Sequence, residues 1–267
     1  MRDNKHSRKQ NKNKEPEKEL LFGIHSVKEA ILAKRRNIFE LYVSNDPRDR
    51  LTEVIEKAEE NRIPVKNISP AVLSQKTASE HHQGLAALAD PFPMSSEYDI
   101  IRDAGRFLLL LDGILDTHNL GALLRTALSA GVEGVILPKD RAAAPSPSVS
   151  RISAGAMEHM RIAAVTNLSR TIADLKGKGF WIYGTDRDTG KNLYQTELVF
   201  PLALIIGNEE KGIRPLVRKN CDFLLSIPQQ GPLDSLNASV AGAVCMYECL
   251  RQQMANGMNA CEGGVSK

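Results

Sequence analysis

The chain has 267 residues, 42% of them hydrophobic and 5% aromatic, which is enough apolar material to bury a full core and to fill about two domains. No apolar run approaches the roughly 18–20 residues of a membrane span. The N-terminus has no hydrophobic signal segment, so a cytoplasmic setting is expected. The formal net charge of +3 falls within residues 1–19, which hold seven Lys/Arg against four Asp/Glu, and the remaining chain balances at 28 of each.

Residues 1–19 are rich in Asn and Lys, cannot pack a core, and are expected to form a disordered basic tail drawn to polyanions. From Leu21 to about Pro93 the elements are short. Ile38–Ser44 reads as a strand, Leu51–Arg62 as an amphipathic helix, Ile63–Ser69 as a second strand, and Pro70 as the start of a short helix. Gly84–Asp90 reads as a third strand, and the Pro/Ser-rich stretch from Pro91 as a linker. The expected boundaries are a small α/β domain over 20–92, a linker over 93–105, a larger domain over 106–255 and a flexible C-terminal tail over 256–267.

In the larger domain, strands over Phe107–Gly113, Val132–Pro138, Arg161–Asn167 and Phe180–Asp186 alternate with helices beginning near Asn119, Ser150 and Ser169. Two further apolar runs, Leu202–Ile206 and Phe223–Ile227, each break into a loop, and the second loop leads into a long apolar helix. Strands that are apolar throughout and separated by helices predict a mostly parallel sheet covered on both faces. Ligands of such sheets sit beyond the carboxyl ends of the strands.

Common nucleotide signatures fail. No GxGxxG follows a strand, and in Gly207-Asn208-Glu209-Glu210-Lys211-Gly212 the next residues are Ile213 and Arg214 rather than the Lys-Ser/Thr of a phosphate loop. Cys221, Cys245, Cys249 and Cys261 form no CxxC pair and have no His at ligand spacing, so buried thiols rather than a metal or redox site are expected. Polar residues standing just past apolar strands remain. Asn119 suits a helix cap as well as a site. Arg125, on a helix of Leu and Ala, suits either a snorkelling arginine or a fixed fork for a phosphate. Glu209 and Asn237 extend the set.

Three ordered motifs give that set a meaning. Asp112…Asp116-x-x-Asn119-Leu120-Gly121-x-x-x-Arg125-Thr126-Ala127, then Ile206-Gly207-Asn208-Glu209-x-x-Gly212, then Ile227-Pro228 followed by Ser235-Leu236-Asn237-Ala238-Ser239-Val240-Ala241 resemble the motifs of the SpoU (TrmH) family of RNA ribose 2′-O-methyltransferases. Ser153-Ala154-Gly155-Ala156 is similar to a further family stretch. Phe22–Asp90, with its Phe-Gly-Ile-His-Ser-Val entry, resembles the small RNA-binding domain of the RlmB branch, itself similar to ribosomal proteins. One departure is Thr117, where the family usually has Pro; the loop loses a fixed φ but no catalytic atom.

The resemblance implies a trefoil-knotted α/β fold that binds S-adenosylmethionine in the knot, uses no metal, and works as a homodimer to which the last helix contributes. Gly207, Ile227 and Leu236, with the adjoining Ile206 and Pro228, would hold the cofactor mainly through backbone groups. Asn119, Arg125, Glu209, Ser235 and Asn237 would form the catalytic and positioning set. His25, Lys34, Arg35 and Arg36 are the candidate RNA contacts, and the implied substrate is a guanosine ribose of 23S ribosomal RNA. Alternatives are the same chemistry on a tRNA guanosine, or an inactive rRNA-binding assembly factor. A guanidinium does not readily surrender its proton, so Arg125 is read as a clamp on an RNA phosphate and the developing alkoxide, with that phosphate or Glu209 taking the proton.

Overall fold

A computed structural model describes residues 18–44, 49–187, 191–231 and 235–262. The first sheet has the order β1-β4-β2-β3, from strands β1 (Glu19–Phe22), β2 (Ile38–Ser44), β3 (Val65–Ile68) and β4 (Leu85–Ala89). Helices α1 (Ile24–Ala33), α2 (Thr52–Glu60) and α3 (Pro70–Thr77) accompany it. Leu21, Val27, Ile31, Leu41, Val54 and Leu85 pack its principal core. The Ser69 hydroxyl caps α3, accepting from the Val72 amide, with Pro70 in the first turn, where a missing N–H costs nothing.

The second sheet runs β7-β6-β5-β10-β8-β11-β9, and every one of these pairings is parallel. Its strands are β5 (Phe107–Asp112), β6 (Gly134–Pro138), β7 (Ile162–Val165), β8 (Trp181–Thr185), β9 (Lys191–Asn192), β10 (Leu202–Gly207) and β11 (Phe223–Ser226). Its helices are α4 (Glu97–Asp103), α5 (Thr117–Ser129), α6 (Pro147–Ile152), α7 (Leu168–Gly177), α8 (Pro215–Lys219) and α9 (Ala238–Glu262). Alternation along β5 explains its unbroken apolar sequence. Phe107, Leu109 and Leu111 enter the core on the α5 and α9 side, whereas Leu108 and Leu110 enter the core under α4 and α7. Both faces are buried, so both parities must be apolar.

Several expectations need correction. Glu19 begins β1 instead of closing a disordered tail; residues 1–17 lie outside the described residues. The linker contains α4, whose first turn is capped by the Ser96 hydroxyl. The helix near Ser150 is α6 followed by a 3-10 turn, Ala156–His159, because Ala154 and Gly155 take left-handed φ values of 52° and 81° between them. The supposed C-terminal tail continues α9 as far as Glu262, the helix running through Gly257 without a break; residues 263–267 lie outside the described residues.

Candidate active site and nucleic-acid interface

Three loops meet beyond the carboxyl ends of β5, β10 and β11. Asp112, at the end of β5, is buried and accepts from the Arg214 backbone N–H at 2.8 Å and from Arg214 Nε at 2.6 Å. That pairing ties the loop after β10 to the neighbouring strand. The loop closes on itself: the Asn208 N–H donates to the Gly212 carbonyl at 3.1 Å and the Gly212 N–H returns a bond to the Asn208 carbonyl at 2.9 Å. Asn208 Nδ2 holds the Gly113 carbonyl at 3.1 Å. Gly207 lies so near this turn that a Cβ there would stand 2.3 Å from the Gly212 carbonyl carbon and 2.4 Å from the Ile213 nitrogen. Only glycine fits.

The helix that follows β5 is capped by Asp116, whose carboxylate accepts from the His118 amide at 3.0 Å. Asn119, read from sequence as a potential cap, is instead buried one turn further on, and its side chain reaches across to the other two loops. Asn237 Nδ2 donates to Asn119 Oδ1 at 3.0 Å, and Asn119 Nδ2 donates to Glu209 Oε1. Asn237 Oδ1 accepts from the Ser239 amide at 2.9 Å and the Val240 amide at 3.4 Å at the start of α9. Backbone N–H groups donate and a carboxylate accepts, so this chain fixes the orientation of both amide side chains. It ends on Glu209, which lines the cleft.

That cleft has a volume of about 820 Å³ and is bordered by Thr185, Glu209, Lys211, Arg218, Lys219 and Ser235 among others. A pocket of about 120 Å³ adjoins it, lined by Ile206, Gly207, Glu209, Ile227, Ser235 and Leu236. The structure therefore brings together Asn119, Glu209, Ser235 and Asn237 with Ile206, Gly207, Ile227 and Leu236. Pro228 is exposed beside the pocket without lining it. Sequence reasoning missed Thr185, Asp186 and Arg187, which line both spaces. The signal was available in the polar end of the Phe180–Asp186 run. What it lacked was the strand order that sets β8 beside β10.

Arg125 stands apart. Six residues beyond Asn119, at about 100° per residue, it projects about 120° away around the helix. It is exposed and lines a different cleft, of about 340 Å³, together with His25, Glu29, Ser153, Ala154 and His159.

The four expected RNA contacts also divide. His25 and Lys34 are exposed. Arg35 and Arg36 are not offered to a ligand: they tie the two sheets together. The Arg36 guanidinium grips Glu158 through Nε at 3.0 Å and Nη2 at 2.6 Å, both side chains being 1% exposed. A further contact joins Arg36 to Glu19 at 2.8 Å. Ser150 Oγ donates to Glu158 Oε1 at 2.6 Å, and Ser26 and Ser150 share a hydrogen bond of 2.6 Å. Arg35 Nη1 donates to the Met160 carbonyl and Nη2 to the Pro93 carbonyl at 3.3 Å. A buried guanidinium must find such partners, and these two find them across the joint.

Cys245 and Cys249 are buried, as expected of the cysteines, whereas Cys221 is half-buried. Burial pushes Cys221 and Cys245 up to about 12, and pushes Cys249 upward as well, with the Cys245 thiol adding to it. Among the described residues no cluster of three or more His, Cys, Asp or Glu side chains could hold a metal, and no helix is long and apolar enough to cross a membrane.

Residues 106–247 match the model of the SpoU rRNA methylase family, and residues 20–95 match that for RNA 2′-O ribose methyltransferase substrate binding. The chain belongs to the SpoU family. The curated 23S rRNA (guanosine-2′-O-)-methyltransferase RlmB of Shewanella oneidensis is 40% identical over 240 residues, which cover 88% of this chain and 98% of that protein. RlmB of Vibrio cholerae is 39% identical over 243 residues, 89% of this chain and 98% of that one. Among solved structures, a SpoU methyltransferase, AviRb from Streptomyces viridochromogenes in complex with AdoMet, has a TM-score of 0.75 at 23% identity, covering 89% of this chain and 91% of that one. An RNA 2′-O ribose methyltransferase has a TM-score of 0.74 at 25% identity, covering 90% of each chain. The likeness to these two structures thus extends over both sheets of the chain.

Proposed function

We propose that this chain is an S-adenosylmethionine-dependent methyltransferase acting on the 2′-hydroxyl of a guanosine ribose in 23S ribosomal RNA, in the cytoplasm. The observation that carries the site assignment is the hydrogen-bonded chain Asn237–Asn119–Glu209 ending in a cleft beside the pocket at Gly207. The large-subunit RNA target is supported by RlmB relatives that match this chain over nearly their whole length.

The residues present fit the cofactor. Ile206, Ile227 and Leu236 offer apolar walls, and the hydrogen at Gly207 leaves room for the tight 208–212 turn that borders the pocket. S-adenosylmethionine supplies a methyl group on a sulfonium, which departs as a neutral thioether. The remaining work falls to the protein. Ser235 and Glu209 face the cleft in which the ribose would lie. Glu209, fixed through Oε1 by Asn119, uses its other oxygen to take the 2′-hydroxyl proton as the oxygen–methyl bond forms. Holding the reactants in line can supply about 7–11 kcal/mol, and a positioned base about 10²–10⁴-fold.

In this reading residues 20–92 form the substrate domain, similar to RNA-binding ribosomal proteins, and the methyltransferase domain begins at 106 and is knotted through the segments around β10 and β11. It works as a homodimer. Val240, Tyr247 and Met254 recur every seven residues on α9 and are 49%, 51% and 57% exposed, an apolar stripe suited to a second copy. In one chain Arg125 and Glu209 open on different clefts, so the clamp on the developing alkoxide would come from the second copy, whose α5 packs against its α9.

The test is methyl transfer from labelled S-adenosylmethionine to 23S rRNA and tRNA transcripts, with mapping of the modified ribose. A 2′-O-methylguanosine in 23S rRNA, formed about 10²–10⁴-fold more slowly by Glu209→Gln, is expected. Methylation confined to tRNA, or an unimpaired Glu209→Gln enzyme, would overturn the assignment.

A further inference from the structure

We infer that Glu210 and Lys211 read the base of the target nucleotide and make the enzyme select guanosine. This rests on the guanosine 2′-O-methylation proposed above and deepens it. Glu209, Ser235 and the methyl donor act on a ribose, which is the same in all four nucleotides. Selection of guanosine requires further groups turned toward the base.

The two residues stand on the turn after β10. Asn208 Oδ1 accepts from the Glu210 amide at 3.0 Å and from the Lys211 amide at 3.3 Å. The backbone that carries both side chains is therefore fixed by the residue that also holds the Gly113 carbonyl. Glu210 and Lys211 are exposed and line the cleft of about 820 Å³ that Glu209 borders, a volume within the roughly 300–1,000 Å³ of small-molecule clefts. A base joined to a ribose at Glu209 lies within reach of the next two side chains along this turn.

Among the described lining residues the carboxylates are Asp186, Glu209 and Glu210. Asn119 holds Glu209, and Arg218 Nε donates to Asp186 at 2.5 Å. The side chains of Glu210 and Lys211 have no hydrogen-bond or ion-pair partner among the described residues. Guanine suits this pair. Its edge carries the N1–H and the 2-amino group as adjacent donors, beside the O6 acceptor. A carboxylate accepts from both donors, and an ammonium donates to O6. Adenine puts an amine where guanine has O6 and a bare ring nitrogen where guanine has N1–H, so the same two charges oppose it. Ile213, Pro215 and Leu224 give the cleft an apolar lining for the flat ring. The N1–H and 2-amino group must be free to be read, so the target guanosine is unpaired, as in the single-stranded loops that proteins recognise by sequence.

The experiment measures kcat and KM of the full-length enzyme on a 23S rRNA fragment that carries guanosine, inosine or adenosine at the mapped target. Inosine lacks only the 2-amino group. The unaltered enzyme should prefer guanosine to inosine by about 10–100-fold in kcat/KM. Glu210→Gln should erase that preference, mainly by raising KM for the guanosine RNA, because a contact made equally before and during the reaction is uniform binding. Its S-adenosylmethionine affinity and thermal midpoint should stay unchanged. Lys211→Met should raise the use of adenosine relative to guanosine. Equal use of guanosine and inosine by the unaltered enzyme, an undiminished preference in Glu210→Gln, or loss of cofactor binding in that variant would overturn the assignment. Failure of the unaltered enzyme to methylate the guanosine RNA would instead overturn the reaction on which the assignment rests.

Discussion

At the scale of single residues, the site turns on which neighbours each polar group finds. Asn119 has the composition of a helix cap and the position of a relay: Asp116 caps the helix, freeing Asn119 to bridge Asn237 and Glu209. Asn119→Ala should leave S-adenosylmethionine binding intact and lower kcat by about 10²-fold or more, because Glu209 loses the bond from Asn119 Nδ2 that orients it; equilibrium dialysis alongside steady-state kinetics separates the two effects. Arg125 is always charged, so Arg125→Lys should lose most activity at every pH while still binding cofactor. Full recovery in the lysine variant at raised pH would show that the arginine serves as a base. Burial holds the Cys245 and Cys249 thiols neutral well above pH 8. The thiolate is the reactive form, so iodoacetamide at pH 8 should label these two only after unfolding, as a peptide map by mass spectrometry would record.

At the scale of elements, the decisive piece is the loop between β10 and α8. Its backbone folds back on Gly207 more closely than any side chain permits, and Asp112 anchors its far end through Arg214. Gly207→Ala should abolish cofactor binding through displacement of the 208–212 turn while the sheet persists, giving little heat of S-adenosylmethionine binding by calorimetry and a near-native circular dichroism spectrum. The apolar runs of β5, β10 and β11 and the polar loops after them were legible from sequence because burial on both faces leaves an unbroken hydrophobic signature. β1, α1 and α4 were not singled out. They are short, and α4 follows a Pro/Ser-rich stretch whose local chemistry favours turns; packing of Ile100 and Ile101 against the sheet decides for helix.

At the scale of the whole molecule, the two units are joined by charge as well as by apolar contact. Removing Glu158 leaves the buried Arg36 guanidinium with Glu19, at 2.8 Å, as its remaining carboxylate partner among the described residues. Glu158→Ala should therefore cost about 3–5 kcal/mol of stability, seen as a lowered denaturant midpoint, and should weaken rRNA binding through a loosened joint. Tyr247→Asp, in the exposed stripe of α9, should give a monomer by analytical ultracentrifugation and lose activity with little change in thermal midpoint. A variant that remains dimeric would exclude α9 as the contact.

The sequence by itself determined the doubly covered parallel sheet, the three motif loops and the family they belong to, because periodicity and motif spacing are properties of neighbouring residues. Only the tertiary structure decided what Arg35 and Arg36 of the basic run meet and on which cleft the arginine of α5 opens. Arg35 and Arg36 look like surface cations in one dimension, yet they meet Glu158, Met160 and Pro93 from distant parts of the chain. Asn119 and Arg125 share one motif yet face different clefts. A side chain's role depends on which groups desolvate and pair with it, and those groups are fixed by the packing of elements far apart in sequence.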